Sequence, residues 1–399
     1  MEKIDILEVI LKVTEVCNIN CTYCYYFNGS NNDFEDKPGY ISATTVDEVA
    51  LFLQRSIADN RIDRLQIDLH GGEPMMLKKP RFRAMLQTFR RALDPVVDLR
   101  IALQTNGMLI DDEWISIFEE HKVSASISLD GVKEVNDLYR VDHRGRGTYD
   151  RAVRGLDMLK DAACSRRVFS PGVISVISPE SDGARVYDHF VNDLGIDRLH
   201  LLLPDYSHDN FDPTLLPGFE AFVSGALERW LASDMERIRI RMFDFAWVAL
   251  TRNAGDDDVK YGALTIRSDG MLNPPDDLRN AIPHAFDDGF PSITTSLSEF
   301  LDSPTMTSIK RDLSMSPPAC DGCGFLRVCK GGTTFNQPEH QHSRANGFVE
   351  RSVYCSVYQI IFMRLIETLV SRGYPWRRIE ATLTGGSTTK IVPEVLEMA

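Results

Sequence analysis

The chain has too little of several things for whole classes of function. Eight cysteines in 399 residues cannot staple a disulfide scaffold, and their bunching at two places suits metal binding in a reducing, low-oxygen cytosol. No apolar stretch approaches the roughly 20 residues that a membrane-spanning helix needs. Basic residues are outnumbered: 44 Lys and Arg against 58 Asp and Glu leave a formal charge of −14. Neither nucleic acid nor an anionic membrane is therefore an expected partner, and a basic peptide would suit the field better, although acidic surfaces are commonly only solvating. There is no repeat of solenoid period and no low-complexity tract. The start, MEKIDILEVILKVTEV, is charged and leads straight into a cysteine motif, unlike a removable signal peptide. A cytoplasmic location is expected.

A hydrophobic content of 43% over this length is enough for a large core in two or three domains. Up to about residue 203, β-rich runs near 7–14, 65–69, 99–103, 124–129, 172–177 and 198–203 alternate with amphipathic helical patterns near 44–58, 79–92, 111–121, 150–161, 183–194 and 217–231. Six such βα units predict a parallel sheet with helices outside and ligand loops at the C-terminal strand ends. A doubly wound open sheet would read the same way. Beyond about Asn253 the rhythm stops: Gly255 to Asp258 reads as a polar linker, and the region to Cys355 is rich in Pro, Gly and Cys. A last amphipathic helix is expected over 358–372, with a poorly tied tail beyond Gly385.

Cys17, Cys21 and Cys24 in VCNINCTYCYY stand at C-x3-C-x2-C. Three thiolates can hold three irons of a 4Fe-4S cluster and leave the fourth open to a small chelating molecule. A zinc site would need a fourth nearby ligand, and the next cysteine is the distant Cys164. The spacing resembles the signature of the radical S-adenosylmethionine (radical SAM) enzymes, in which Tyr23 matches the aromatic placed beside the SAM adenine. Gly71, Gly72, Glu73 and Pro74 follow the second predicted strand. Such glycines let backbone approach a ligand, and an ordinary βα turn would look alike. In the family this GGEP loop binds the SAM amino group. Two further strand ends are polar: Gln104 and Asn106 in LQTNGML, and Ser126 and Ser128 in SASISLDG, the serines sharing one strand face. Arg140 matches an arginine that pairs with the SAM carboxylate. Any of these could instead cap a helix or satisfy a loop backbone.

Cys320, Cys323, Cys329 and Cys355 form C-x2-C-x5-C followed by a late fourth cysteine. Four thiolates satisfy a whole 4Fe-4S cluster, which would then carry electrons rather than bind substrate; zinc is the alternative that C-x2-C alone allows. The pattern is similar to the SPASM domain of radical SAM peptide-modifying enzymes. Positions that hold further ligands in a full SPASM domain read Thr333 and Pro275 here, so one auxiliary cluster is expected, and two 4Fe-4S clusters in all. Cys164 is left to pack as a small apolar side chain. Asp276 matches a base of sulfatase-maturing relatives, with Asp269 and Asp277 as competitors.

The resemblance implies a partial (β/α)6 TIM-like barrel over 1–215, a helical connection over 216–258, a SPASM-type auxiliary-cluster domain over 259–372 and a tail over 373–399. It also implies chemistry: hydrogen abstraction by a 5′-deoxyadenosyl radical, then two-electron oxidation of a ribosomal precursor peptide, fed by a donor such as flavodoxin or ferredoxin. CDGCGFLRVCKGG with NGFVERSVYC, and LHLLLPD, resemble the enzymes that crosslink an aromatic ring carbon to a β-carbon in cyclophane peptides. The alternatives are a thioether-forming maturase, a sulfatase-type formylglycine-forming maturase and a non-catalytic iron–sulfur module. The chain enters its first strand at once, so a peptide leader is expected to bind the barrel or the SPASM region directly, to bind a separate protein, or to be dispensable.

Overall fold

The structure is a computed structural model that describes residues 3–29, 31–252, 260–286 and 291–385. Its strands are β1 (Ile6–Thr14), β2 (Arg64–Gly71), β3 (Asp98–Thr105), β4 (Val123–Ser128), β5 (Gly172–Val176), β6 (Arg198–Leu202), β7 (Arg239–Ile240), β8 (Tyr261–Ile266) and β9 (Leu272–Asn273). They form one sheet in the order β7-β6-β5-β4-β3-β2-β1-β8-β9. Every pairing is parallel except β8 with β9. Because the order runs from one free edge to the other, the barrel is partial and its mouth stays open.

The six expected βα units are all present. The helices are α1 (Ala43–Asn60), α2 (Lys79–Leu93), α3 (Asp112–His121), α4 (Lys133–Tyr139), α5 (Tyr149–Cys164), α6 (Gly183–Asp188), α7 (Leu216–Ser233) and α8 (Arg241–Thr251). Local chemistry explains several ends: Ser42 accepts a hydrogen bond from Thr45 N at 3.0 Å to start α1, and Asp111 accepts one from Trp114 N at 3.0 Å to start α3. Along β1 the residues Leu7, Val9, Leu11 and Val13 are fully buried, which fits the face covered by the outer helices. The alternate face carries Glu8, Ile10 and Lys12 into the barrel. By the same alternation β2 offers Gln66, Asp68 and His70, β3 Gln104, β4 Ser126 and Ser128, and β6 His200. A closed TIM barrel fills this space with branched apolar side chains. Here the interior is polar and titratable, as a space meant for ligand and water would be.

The cysteine-rich part does not begin apart from the barrel. β8 lies parallel beside β1, pairing Ile10 with Thr265; the polar linker expected at Gly255 to Asp258 lies outside the described residues. Short helices α9 (Leu297–Leu301), α10 (Pro304–Ser314) and α11 (Leu326–Cys329) precede α12 (Cys355–Ser371) and α13 (Trp376–Thr384). The expected tail thus starts with a helix whose Ile379 is fully buried; the residues beyond Gly385 lie outside the described ones. Cys164 is exposed at the end of α5 rather than packed. Among the described residues no helix is long and apolar enough to cross a membrane.

Candidate active site

The loop after β1 carries Cys17, Cys21 and Cys24, and a turn bond from Cys24 N to Cys21 O at 3.0 Å shapes it. Burial pushes the Cys17 thiol up to about 12 and Cys21 up to about 11, and each of the two also feels the charge of Cys24. Three soft sulfur ligands held together in a place that resists an isolated thiolate fit an iron cluster, whose positive irons would offset that cost.

The GGEP loop is laced directly onto this one. Gly72 N donates to Thr14 O at 3.0 Å and Glu73 N to Val16 O at 2.9 Å. A Cβ at Gly71 or Gly72 would collide with the carbonyl of Thr14 or Val16, and Gly71 has φ +146°, so only glycine permits the approach. Pro74 opens the short turn that follows. The Glu73 carboxylate is 1% exposed and accepts from Thr105 Oγ1 at 2.7 Å, Asn106 N at 2.8 Å and Met75 N at 3.1 Å. It therefore ties the exits of β2 and β3 together. Burial raises its pKa against these bonds, so a nearby ammonium, such as that of SAM, would be welcome there.

Tyr23 donates its hydroxyl proton to Asp130 and accepts from Arg140 Nη1 at 2.8 Å. The residue remains 36% exposed. Arg140 also lies 3.9 Å from Asp130; of its five donors, the Tyr23 hydroxyl takes one. Asn106 Nδ2 donates to Asn18 Oδ1 at 2.7 Å, and that oxygen lies 3.9 Å from Cys17 Sγ. Gln104 Nε2 donates to Ser128 Oγ at 3.4 Å. Ser126 sits on the same strand face, one pleat further in. The sequence-derived residues of the first half thus gather around one mouth.

Asp276 lies against β1 and the cysteine loop and is 3% exposed. Lys12, fully buried on β1, and the Tyr25 hydroxyl both donate to its Oδ2. Lys12 Nζ also lies 3.0 Å from His70 Nδ1. Burial alone would raise the Asp276 carboxyl, but the charge of Lys12 wins and holds it below its ordinary value. Burial and Lys12 push His70 down to about 3, so its Nδ1 accepts. Asp276 Oδ1 is buried and has no hydrogen-bond partner. Asp269 is instead half-buried against Lys37 at 3.2 Å. Lys12, Tyr25 and His70 did not figure among the sequence-derived site residues. Their signal was a lysine standing four positions after Glu8 on one face of an otherwise aliphatic strand.

The second group, Cys320, Cys323, Cys329 and Cys355, lines a small cavity together with Phe325, Leu326, Gly331, Tyr358 and Phe362. Burial pushes Cys329 up to about 12, with the charges of the other three next. Phe335 stacks on Tyr358 with centroids 3.9 Å apart, closing one wall. Four sulfurs in an aromatic cavity fit a fully ligated cluster. Thr333, where a further ligand would stand, donates its hydroxyl to Lys330 O at 3.0 Å, and Pro275 caps the turn before Asp276; neither can bind iron.

Comparison with known proteins agrees with this geometry. Residues 11–184 match the Radical SAM superfamily model. The serine-type anaerobic sulfatase-maturating enzyme of Klebsiella aerogenes is 26% identical over 354 residues, covering 83% of this chain and 79% of that protein. The cysteine-type enzyme of Clostridium perfringens is 24% identical over 369 residues, covering 89% and 95%. Among solved structures, native anSMEcpe with bound AdoMet and Cp18Cys peptide superposes with TM-score 0.74 at 19% identity, covering 92% of this chain and 99% of that one. Residues 11–184 are accordingly a radical SAM domain, and the chain that carries it is an enzyme with the fold seen in anSMEcpe.

Proposed function

We propose that this enzyme oxidises a side chain of a peptide or protein substrate by two electrons, in the manner of the sulfatase-maturating enzymes. The observation that carries the reading is the buried Lys12–Asp276–Tyr25 group, in which Tyr25 directly follows Cys24 in the cysteine loop. The extent of the similarity to two sulfatase-maturating enzymes, over more than four-fifths of the chain, supports the same class.

When bound, the cysteine-trio cluster and SAM would supply a hydrogen-abstracting radical, and the cluster of the second group an acceptor for the electron left behind. Cys17, Cys21 and Cys24 would hold the first, and Cys320, Cys323, Cys329 and Cys355 the second. Tyr23, Gly71, Gly72, Glu73, Pro74, Gln104, Asn106, Ser126, Ser128 and Arg140 would line the SAM side. Lys12 keeps Asp276 ionised, and Asp276 Oδ1 takes the proton that leaves as the substrate is oxidised. Two hydrogens are lost in total: one as an atom, the other as a proton and an electron. The reducing electron would come from a low-potential protein such as flavodoxin or ferredoxin.

A crosslinking reaction, ring carbon to β-carbon, is the second reading. The observation that favours it is the loss of ligands at Thr333 and Pro275, since sulfatase maturases usually keep the second auxiliary cluster. Anaerobic co-expression with the peptide or sulfatase encoded nearby, followed by tandem mass spectrometry, separates the two. Conversion of a single Cys or Ser to formylglycine supports the first. A loss of two hydrogens with a window between two residues that resists fragmentation supports the second.

A further inference from the structure

His70 faces the barrel interior from β2, directly beside Lys12: the two are register partners across β1 and β2. On its other flank β3 pairs Leu103 with Leu69, which brings Gln104 to the level of His70. Gln104 is in turn the register partner of Ser126 and donates from Nε2 to Ser128 Oγ at 3.4 Å. Four strands thus carry one layer of polar side chains across the interior, and its Lys12 end is fastened to Asp276.

An ammonium buried as fully as that of Lys12 is costly unless its three N–H groups find acceptors. One goes to Asp276 Oδ2 and one to His70 Nδ1 at 3.0 Å. The Tyr25 hydroxyl, at 3.5 Å, is at the limit of a bond, and the face of the Tyr26 ring lies 4.2 Å from Nζ. His70 thus supplies the second strong acceptor. An accepting Nδ1 puts the ring proton on Nε2. The groups that face the ring are Lys12 from β1, Asp276 from its own turn and the uncharged Gln104 from β3; burial and the Lys12 charge keep the ring neutral. Without the Nδ1 lone pair, the nearest acceptor for the released N–H would be Asp276 Oδ1, which is buried and has no partner. Lys12 would then bridge both oxygens and leave the carboxylate none to offer.

We propose that His70 is a positioning residue that acts through Lys12: its Nδ1 holds the ammonium on Asp276 Oδ2 and so keeps Oδ1 open for the substrate proton. This rests on the peptide-oxidising reading above. His70 itself touches neither the substrate nor the proton that leaves it.

The test compares the anaerobically reconstituted natural chain with His70→Leu, which keeps bulk but offers no acceptor, and His70→Gln, whose amide oxygen can still accept. Each is given SAM and a pool of dodecapeptides, random except for a central Cys, and oxidised peptide is measured against 5′-deoxyadenosine. His70→Leu should lower oxidised peptide per deoxyadenosine by about tenfold or more, and His70→Gln should recover most of it. In the Lys12→Met background His70→Leu should cost nothing further, because the residue through which it acts is gone. No loss in His70→Leu, no recovery in His70→Gln, or a loss that adds to that of Lys12→Met overturns the role of His70 alone. A second readout needs no turnover: nitrogen NMR of histidine-labelled natural enzyme, with the His70 ring assigned as the signal absent from His70→Gln. At pH 5.5, about one unit below the ordinary histidine value, the ring should be neutral with its proton on Nε2, and its Nδ1 signal should move in Lys12→Met. A charged ring, or a proton on Nδ1, overturns the role of His70 whatever the turnover. The expected ring in a natural chain that oxidises no peptide overturns the peptide-oxidising reading and the role with it, leaving only the Lys12–His70 contact.

Discussion

The two cysteine groups differ in number and, more instructively, in surroundings. Around Cys17, Cys21 and Cys24 stand Glu73, Asn106, Tyr23, Asp130 and Arg140, a hydrogen-bonded polar network opening on a titratable barrel interior. Around Cys320, Cys323, Cys329 and Cys355 stand Phe325, Leu326, Phe362 and Tyr358 on one side and Asp321, Arg351 and Gln359 on the other. A site that must bind a zwitterionic ligand needs polar groups arranged beforehand; one that only stores an electron needs above all to be fully ligated. The difference between three ligands and four is thus repeated in the aromatic wall that only the second group has.

The largest effect that would break this comparison is on the first group. Cys24→Ala is expected to lose about four of eight irons and to lower SAM cleavage by more than about a thousandfold, read as 5′-deoxyadenosine. Cleavage in a folded variant lacking that iron would contradict the assignment. Cys355→Ala should also lose about four irons, yet keep SAM cleavage while product falls by roughly tenfold or more. Equal loss of both activities would erase the distinction between the groups.

Asp276→Asn should lower product by roughly 100-fold, within the usual range for a general base, while SAM cleavage persists; Lys12→Met should have a smaller effect of the same kind. The last expected effect, on stability rather than on product, concerns Glu8, which burial and its neighbour Asp68 push up to about 8. Its folded-state pKa lies above the unfolded value. The folded protein therefore keeps a proton that the unfolded chain has released, and this group's contribution falls as pH rises from about 4.5 to about 8. Glu8→Gln should flatten the pH dependence of stability over that window, by up to about 1.4 kcal/mol per pH unit. Denaturation curves at pH 5.5 and 8 check this.

What could be read from the sequence follows from the range of the forces involved. The six βα units and both cysteine groups are local patterns, set by periodicity and spacing, and they stand where the sequence places them. The role of Lys12 was hidden because a strand with one charged face ordinarily turns it to solvent, and only barrel curvature turns Glu8 and Lys12 inward. β8 escaped because the change in composition after Asn253 masked a strand that returns to the barrel edge. Cys164, expected to pack inside, faces solvent because α5 ends there.

The most direct test of the contrast between an open and a closed cluster is EPR spectroscopy of the reduced, reconstituted enzyme with and without SAM. It should be run on the natural chain and on the Cys17→Ala/Cys21→Ala/Cys24→Ala variant. The account predicts that SAM changes one of two cluster signals in the natural chain and leaves the single remaining signal of the variant unmoved. A remaining signal that still shifts with SAM would place the open iron at the second group and contradict it.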